Sequence, residues 1–245
     1  MPKRMISIVA ALPEEVRYFC RCHDLERHAG DTPGWMGSVA GRKLEVRCTG
    51  VGARKARASL DQIVDSRASE VLIFVGSAGA LTGSLKVGDL LVADRFVSSV
   101  DPTDVKWASE SRWFARAAAL AKARVGPILT TPEVVSSAEA KRELALRHAL
   151  ERENAAVDME SHAWATLAIE AKIPFVVLRA ISDTVDEDLP LDFNDALRSD
   201  GTISRARVVA AALRHPTAVP GLLGLRDRVN LCSRVLEQAL VSLLG

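Results

Sequence analysis

Apolar positions along the chain form short runs typical of strands, separated by longer stretches with helical periodicity. Residues 71–75 are continuously apolar, as expected for a strand buried on both faces of a sheet. Strands are also predicted over residues 6–12, 43–48, 90–97, 126–130 and 173–181. Helices are predicted over residues 13–22, about 53–65, 113–124, 137–151 and 158–171. This alternation predicts βαβ units around a parallel or mixed sheet.

The pattern changes beyond Pro190. Apolar positions there have helical spacing, Pro216, Pro220 and Gly224 interrupt them, and no strand is predicted. There are no internal repeats. We therefore predict one α/β domain over residues 1–245 with a helical C-terminal extension from about residue 190.

Composition excludes several classes of protein. The 245 residues are 48% apolar and 26% charged, the balance of a folded globular protein. The net charge of +1, with basic residues interspersed among acids, argues against a nucleic-acid or membrane-surface partner. The longest apolar runs are too short to span a bilayer, so no transmembrane segment is predicted.

The N-terminus and the cysteines point to the cytoplasm. Lys3 and Arg4 precede an apolar run, but Glu14 and Glu15 follow it in place of a small-residue cleavage site, so we predict a core strand and not a signal peptide. The four cysteines lack the spacing of a zinc site. We expect free thiols, no metal and a cytoplasmic location.

Four strand ends carry residues suited to chemistry, which in open α/β sheets collects at the carboxyl ends of strands. Glu15 follows the first strand, although a carboxylate there could simply complement a helix dipole. Two glycine segments, 50–52 and 76–79, could admit a ligand close to the backbone or only make tight turns. Neither matches a dinucleotide-binding fingerprint or a phosphate-binding loop. Residues 156–160 and 179–183 add acids and an arginine.

Six segments occur together in the order typical of one family. They are Ala11-Leu12-Pro13-Glu14-Glu15-Val16, Gly50-Val51-Gly52, Gly76-Ser77-Ala78-Gly79, Lys86-Val87-Gly88-Asp89-Leu90, Val157-Asp158-Met159-Glu160 and Arg179-Ala180-Ile181-Ser182-Asp183. From about Ile6 to Val185 the chain resembles the purine nucleoside phosphorylase and methylthioadenosine/adenosylhomocysteine nucleosidase superfamily. The resemblance implies a three-layer fold with a mixed, twisted sheet. It also implies cleavage of the N-glycosidic bond of an adenine nucleoside without a cofactor, in a homodimer or higher homo-oligomer.

The resemblance also assigns roles to residues. Asp183 would protonate N7 of the departing purine, oriented by Ser182, and we expect burial to keep that proton in place at neutral pH. Glu160 would bind the ribose hydroxyls above Met159. Further substrate contacts are implied for Ser77, Gly79 and Val135. Val134 stands where nucleosidases often carry an aromatic ring, which leaves purine recognition open.

Whether water or phosphate attacks the sugar stays open at this level. Glu15 matches the general base of the hydrolytic members. Many bacterial phosphorylases place an arginine where this chain has Phe74. Three other cations could hold inorganic phosphate as a co-substrate: Arg17, Arg54 and Arg179.

Other segments resemble the hopanoid-associated phosphorylase subgroup. They are residues 103–107 and 158–162, and the tail at 196–201, 215–216 and 220–223. This implies that the substrate is adenosylhopane, a lipid-linked nucleoside of hopanoid biosynthesis, cleaved by phosphorolysis. The alternatives are a methylthioadenosine, adenosylhomocysteine or futalosine nucleosidase, and an inactive nucleoside-binding domain, against which the presence of Asp183 and Glu160 argues. Apolar residues beyond 188 could receive a 5′ substituent, or could pack on the domain or another subunit.

Overall fold

The computed structural model describes residues 5–28, 33–53, 55–58, 69–101, 103–108, 111–196, 204, 210 and 219–245. The strands are β1 (Met5–Ala10), β2 (Glu26–His28), β3 (Gly34–Val39), β4 (Arg42–Cys48), β5 (Ser69–Ala80), β6 (Leu90–Ser98), β7 (Val105–Trp107), β8 (Ala123–Thr130), β9 (Ala156–Asp158) and β10 (Phe175–Asp183). The helices are α1 (Pro13–Cys22), α2 (Arg112–Ala118), α3 (Ala138–Arg147), α4 (Ser161–Glu170) and α5 (Val219–Leu244). A short 3₁₀ helix spans Asn194–Ala196.

The described strands form one mixed sheet in the order β10-β6-β8-β9-β5-β1-β4-β3-β2, with β7 paired to β6. β5 also pairs with β10, so β5, β10, β6, β8 and β9 make a closed circuit. Strand β1 is parallel to β4 and β5, and β10 is parallel to β5. The pairs β10–β6 and β5–β9 are antiparallel. The carboxyl ends of β1, β5 and β10 therefore lie at one edge.

Helices cover both faces of the sheet, which accounts for the continuous apolar runs. On one face, Ile73 and Val75 of β5 pack with residues of α1, α2 and α5. On the other, Phe74 stacks on Trp164 of α4 with ring centroids 5.0 Å apart. Alternate positions of a strand point to opposite faces, so a strand buried on both sides must be apolar throughout. The predicted mixed α/β class with a C-terminal helix is confirmed.

Several element boundaries differ from the prediction. Residues 76–79, predicted as a turn, continue strand β5, and residues 156–158 form β9 before α4 begins at Ser161. The hairpin strands β2 and β3 and the short β7 were not predicted, because they are short and largely exposed and do not form the apolar runs of buried strands. The predicted helix over about 53–65 falls largely outside the described residues, as do most of residues 197–218.

The described part of the chain contains neither a membrane-spanning helix nor a group of metal-binding side chains. No helix there is long and apolar enough to cross a bilayer. Its histidines, cysteines and acids form no group of three that could hold a metal ion. The four cysteines are free thiols, as predicted.

Candidate active site

A cavity of about 240 Å³ lies at the edge where β1, β5, β9 and β10 end. Its lining includes eight residues predicted for the site: Glu15, Ser77, Gly79, Val135, Met159, Glu160, Ser182 and Asp183. Four apolar side chains from the C-terminal part of the chain complete it: Leu189, Phe193, Leu225 and Val229. The cavity therefore combines five acidic side chains, those of Glu15, Glu133, Asp158, Glu160 and Asp183, with an apolar wall to which α5 contributes.

Glu15 stands in the first turn of α1, immediately after β1. Its Oε2 accepts hydrogen bonds from the backbone N–H groups of Ala11 at 3.0 Å and Leu12 at 2.9 Å, and its Oε1 accepts one from Ser77 N–H at 2.9 Å. Burial raises the pKa of Glu15, while the Arg179 charge and these donors oppose that rise. Glu15 therefore accepts hydrogen bonds at the start of its helix, as a carboxylate with a purely structural role would. Its side chain also lines the cavity.

Arg179 is fully buried beneath the cavity floor. Its Nη2 pairs with the Asp158 carboxylate and lies 3.9 Å from Oε2 of Glu160, and its guanidinium stacks on Trp164 at 4.9 Å from the ring centroid. A Cβ added at Gly76 would come within 1.9 Å of Arg179 Nη1, so only glycine fits there.

Two of the three arginines predicted to bind phosphate, Arg17 and Arg179, lie outside the described lining of the cavity. The charge of Arg179 is already matched by carboxylates, and Arg179 does not line the cavity. Arg17 is exposed and donates to Asn230 Oδ1 at 3.3 Å, outside the lining. Arg54 lies outside the described residues. Among the described residues that line the cavity there is no arginine or lysine.

Glu160 is held by the glycine segment at residues 50–52. Gly52 N–H donates to Glu160 Oε1 at 2.7 Å, and Gly52 has a φ of +93°, a backbone conformation that favours glycine. Burial, and then the Asp158 charge, raise the pKa of Glu160 to about 8. The segment therefore acts through a carboxyl group and not as a phosphate loop.

Asp183 ends β10 and is buried. Its Oδ1 accepts a hydrogen bond from Ser182 Oγ at 2.6 Å, and its Oδ2 accepts one from Lys141 Nζ at 2.5 Å. A Cβ on Gly79 would lie 2.9 Å from Oδ2, so the glycine allows the carboxyl to approach β5. Asp183 therefore has a hydroxyl group on one carboxyl oxygen and an ammonium group on the other.

Sequence reasoning missed Lys141 and Asn194. Lys141 lies one helical turn before the buried Ala145, so its place on the buried face of α3 was a usable signal. Asn194 Oδ1 accepts from Val134 N–H at 2.8 Å, and Asn194 Nδ2 donates to Val134 O at 3.1 Å. This contact joins the wall residue Val134 to the segment after β10, and no motif marks it.

Replacing Glu160 with Gln should change how stability depends on pH. In the folded protein Glu160 keeps its proton up to about pH 8, whereas in the unfolded chain it loses it near its ordinary value of 4.5. Unfolding therefore releases a proton between these values, and the free energy of unfolding of the wild type should fall as pH rises through that window. Urea unfolding from pH 5 to 9 should show the wild type losing stability relative to Glu160→Gln up to pH 8. A constant difference would contradict the assignment.

Comparison with known proteins places this geometry in context. The model of the phosphorylase superfamily matches residues 5–214. A 5′-methylthioadenosine/S-adenosylhomocysteine nucleosidase of Staphylococcus epidermidis is 26% identical over 229 residues, covering 82% of this chain and 97% of the relative. One of Shewanella frigidimarina is 28% identical over 190 residues, covering 71% and 83%.

Solved structures agree on the fold. The same type of nucleosidase from Streptococcus pneumoniae, in complex with 8-aminoadenine, superposes with a TM-score of 0.74 at 21% identity and covers 98% of each chain. One from Colwellia psychrerythraea, in complex with adenine, gives 0.74 at 20% identity and covers 99% of this chain and 95% of that one.

Proposed function

Because this chain belongs to the phosphorylase superfamily, we propose that it hydrolyses the N-glycosidic bond of a 5′-substituted adenine nucleoside and releases adenine. One observation carries the choice of water over phosphate. The described lining of the cavity contains five acids, Glu15, Glu133, Asp158, Glu160 and Asp183, and no arginine, lysine or histidine. A phosphate dianion would find no cation there and would be repelled by the Glu15 carboxylate, whereas water needs only a base. The relatives described above are named nucleosidases, which supports the same choice.

In the proposed reaction one carboxyl group accepts a proton and another donates one. Glu15 takes a proton from water as the water oxygen bonds to C1′, and Asp183 gives a proton to N7 as the C1′–N9 bond breaks. The electron pair of that bond leaves with the purine, so the products are adenine and a free 5-substituted ribose. Exchange with solvent then returns the proton from Glu15 to Asp183. Glu160 is placed to bind the ribose hydroxyls, with Met159 beneath the sugar.

The 5′ substituent is proposed to lie against the apolar wall. Leu189 and Phe193 come from the segment after β10, and Leu225 and Val229 come from α5, so two separate parts of the chain supply apolar surface to one side of the cavity. This supports substrates with an apolar 5′ group, from the methylthio group up to longer chains. Adenosylhopane fits that chemical class, but its phosphorolysis requires a cation that the described lining lacks.

The phosphate requirement tests the proposed function. The purified protein is incubated with methylthioadenosine in phosphate-free buffer and in buffer with added phosphate, and adenine and sugar products are followed by chromatography and mass spectrometry. We expect equal adenine release in both buffers and a free sugar as co-product. Release that needs phosphate and yields a sugar 1-phosphate would replace hydrolysis by phosphorolysis. Absence of release from any 5′-substituted adenosine would contradict both.

Leu225→Gln should lower kcat/KM for a long 5′-alkylthio adenosine by about tenfold more than for adenosine itself, since it places an amide where the apolar chain would lie. Leu223→Gln is the matched control, because Leu223 lies on the same helix and is 58% exposed. Competition assays with both nucleosides measure the ratio directly. An equal loss for both substrates would show that Leu225 supports the helix and does not contact the substituent.

A further inference from the structure

Lys141 is a fully buried lysine on α3, which is rare for this residue type. Its ammonium group donates three hydrogen bonds: to Asp183 Oδ2 at 2.5 Å, to Thr184 O at 2.9 Å and to Glu187 O at 2.8 Å. An ammonium group has three N–H donors, so each has an acceptor. The two carbonyl groups belong to the turn that follows Asp183 directly, so one side chain holds both the carboxyl group and the backbone around it.

Stability alone does not account for this arrangement. Removing a lysine and a carboxylate from water is costly, and an apolar pair of similar volume is often equally stable. The pair also joins elements that meet at the cavity, since α3 follows the wall residues Val134 and Val135 and β10 carries the acid. The contact between the Lys141 ammonium and Asp183 therefore indicates a role in the chemistry of the site.

Two other titratable groups close to Asp183, Glu187 and Cys232, are ion-paired or neutral. Glu187, in the turn, forms a two-point ion pair with Arg228 of α5 at 2.8 and 2.9 Å. Burial, with the Glu15 and Asp183 charges, raises the pKa of Cys232 on α5 to about 12, so its thiol stays neutral. The Arg228 guanidinium interacts with Asp183 only at a distance, and its direct partner is Glu187. Lys141 is thus the cation in contact with the acid.

We propose that Lys141 is a positioning residue for the hydrolysis, which fixes Asp183 and increases its strength as an acid. This inference rests on the proposed function. An ammonium in contact favours the carboxylate over the carboxylic acid, so Asp183 releases its proton to N7 more readily once the C1′–N9 bond begins to break.

Removing the charge of Lys141 should change both the rate and the pH profile of the reaction. In Lys141→Met, kcat at its optimum should fall by about tenfold or more, because a weaker acid protonates N7 less well. The alkaline limb of the kcat/KM profile should move to higher pH, because the cation that favours the carboxylate over the carboxylic acid has been removed. KM should change little, since Lys141 does not line the cavity.

Arg142→Met is the matched control. Arg142 follows Lys141 on the same helix, its side chain is 57% exposed, and it pairs with Asp186 and not with Asp183. Removing this cation should leave both the rate and the pH profile of the wild type unchanged. Lys141→Gln is the second test variant, since it removes the charge, keeps a hydrogen-bond donor and avoids burying a methionine against Asp183.

A second substrate separates an effect on the acid from a loss of structure. A 4-nitrophenyl ribofuranoside has a leaving group that departs without protonation, so the Lys141 variants should cleave it at close to the wild-type rate. An equal loss on both substrates, an alkaline limb that stays in place, or failure of both variants to fold would overturn the proposal and leave Lys141 with a structural role. A wild type that releases no adenine would instead contradict the proposed hydrolysis.

Discussion

Asp183→Asn should lower kcat for adenine release by about 10²–10⁴-fold, the usual contribution of a general acid. The amide keeps the shape of the side chain and its contact with Ser182, whose Oγ lies 2.6 Å from Oδ1 in the wild type. It has no proton to give to N7. Steady-state assays of adenine release with methylthioadenosine measure the effect.

The Asn variant also leaves the Lys141 ammonium buried beside a neutral group. Breaking a buried ion pair in this way typically costs about 3–5 kcal/mol of stability, so the fold must be checked by circular dichroism and thermal unfolding. The double variant Lys141→Met/Asp183→Asn removes the unpaired charge and is the control. It should recover stability while staying inactive. Full activity in either variant would contradict the assignment of Asp183 as the acid.

Glu15→Gln should reduce hydrolysis by about 10²–10⁴-fold, and added phosphate should not restore it. The two oxygens of Glu15 accept hydrogen bonds from three backbone N–H groups, those of Ala11, Leu12 and Ser77. Glutamine has one oxygen and no basic site, so it can neither accept all three nor take a proton from water. Glu14→Gln, in the same helical turn but outside the cavity lining, is the matched control and should keep its activity.

The pH dependence of the wild type provides a second measurement of the base. Burial raises the pKa of Glu15, so the wild type should lose activity on the acid side at a higher pH than an ordinary glutamate would cause. Protonation removes the base, which sets the sign: activity falls as pH falls. This acid limb should be absent from the residual activity of Glu15→Gln. If the limb persists in the variant, another group is the base.

The sequence predicted those parts of the fold that are buried on both faces. Residues 71–75 are apolar throughout, and residues 173–181 are apolar except for Arg179, because helices cover both sides of β5 and β10. That requirement is visible without coordinates. The hairpin of β2 and β3 is largely exposed, so its pairing depends on β4 and not on its own composition. Strand β9 has three residues and depends in the same way on its neighbours β5 and β8.

The residues of the candidate site could be predicted from the sequence, but the ion pairs among them could not. Motifs in a fixed order predicted Glu15, Glu160 and Asp183, and each lines the cavity. Which cation serves which carboxylate depends on contacts between distant segments. Arg179 pairs with Asp158 across 21 positions and Lys141 with Asp183 across 42, and neither spacing leaves a local signal. Of the cations predicted to bind phosphate, Arg17 and Arg179 lie outside the described lining, and Arg54 lies outside the described residues.

The two halves of helix α5 have different roles, since one packs in the core and the other lines the cavity. This affects how the protein could acquire new substrates. Its C-terminal half is anchored in the core through Leu236, Leu240 and Leu243, whereas Leu225 and Val229 near its start face the cavity. Substitutions in the first turns can therefore reshape the wall without loosening the anchor. A library restricted to positions 225 and 229 should yield variants with altered preference for the 5′ group at near-native melting temperatures. Substrate preference could therefore evolve through this helix without changes to the residues that break the glycosidic bond.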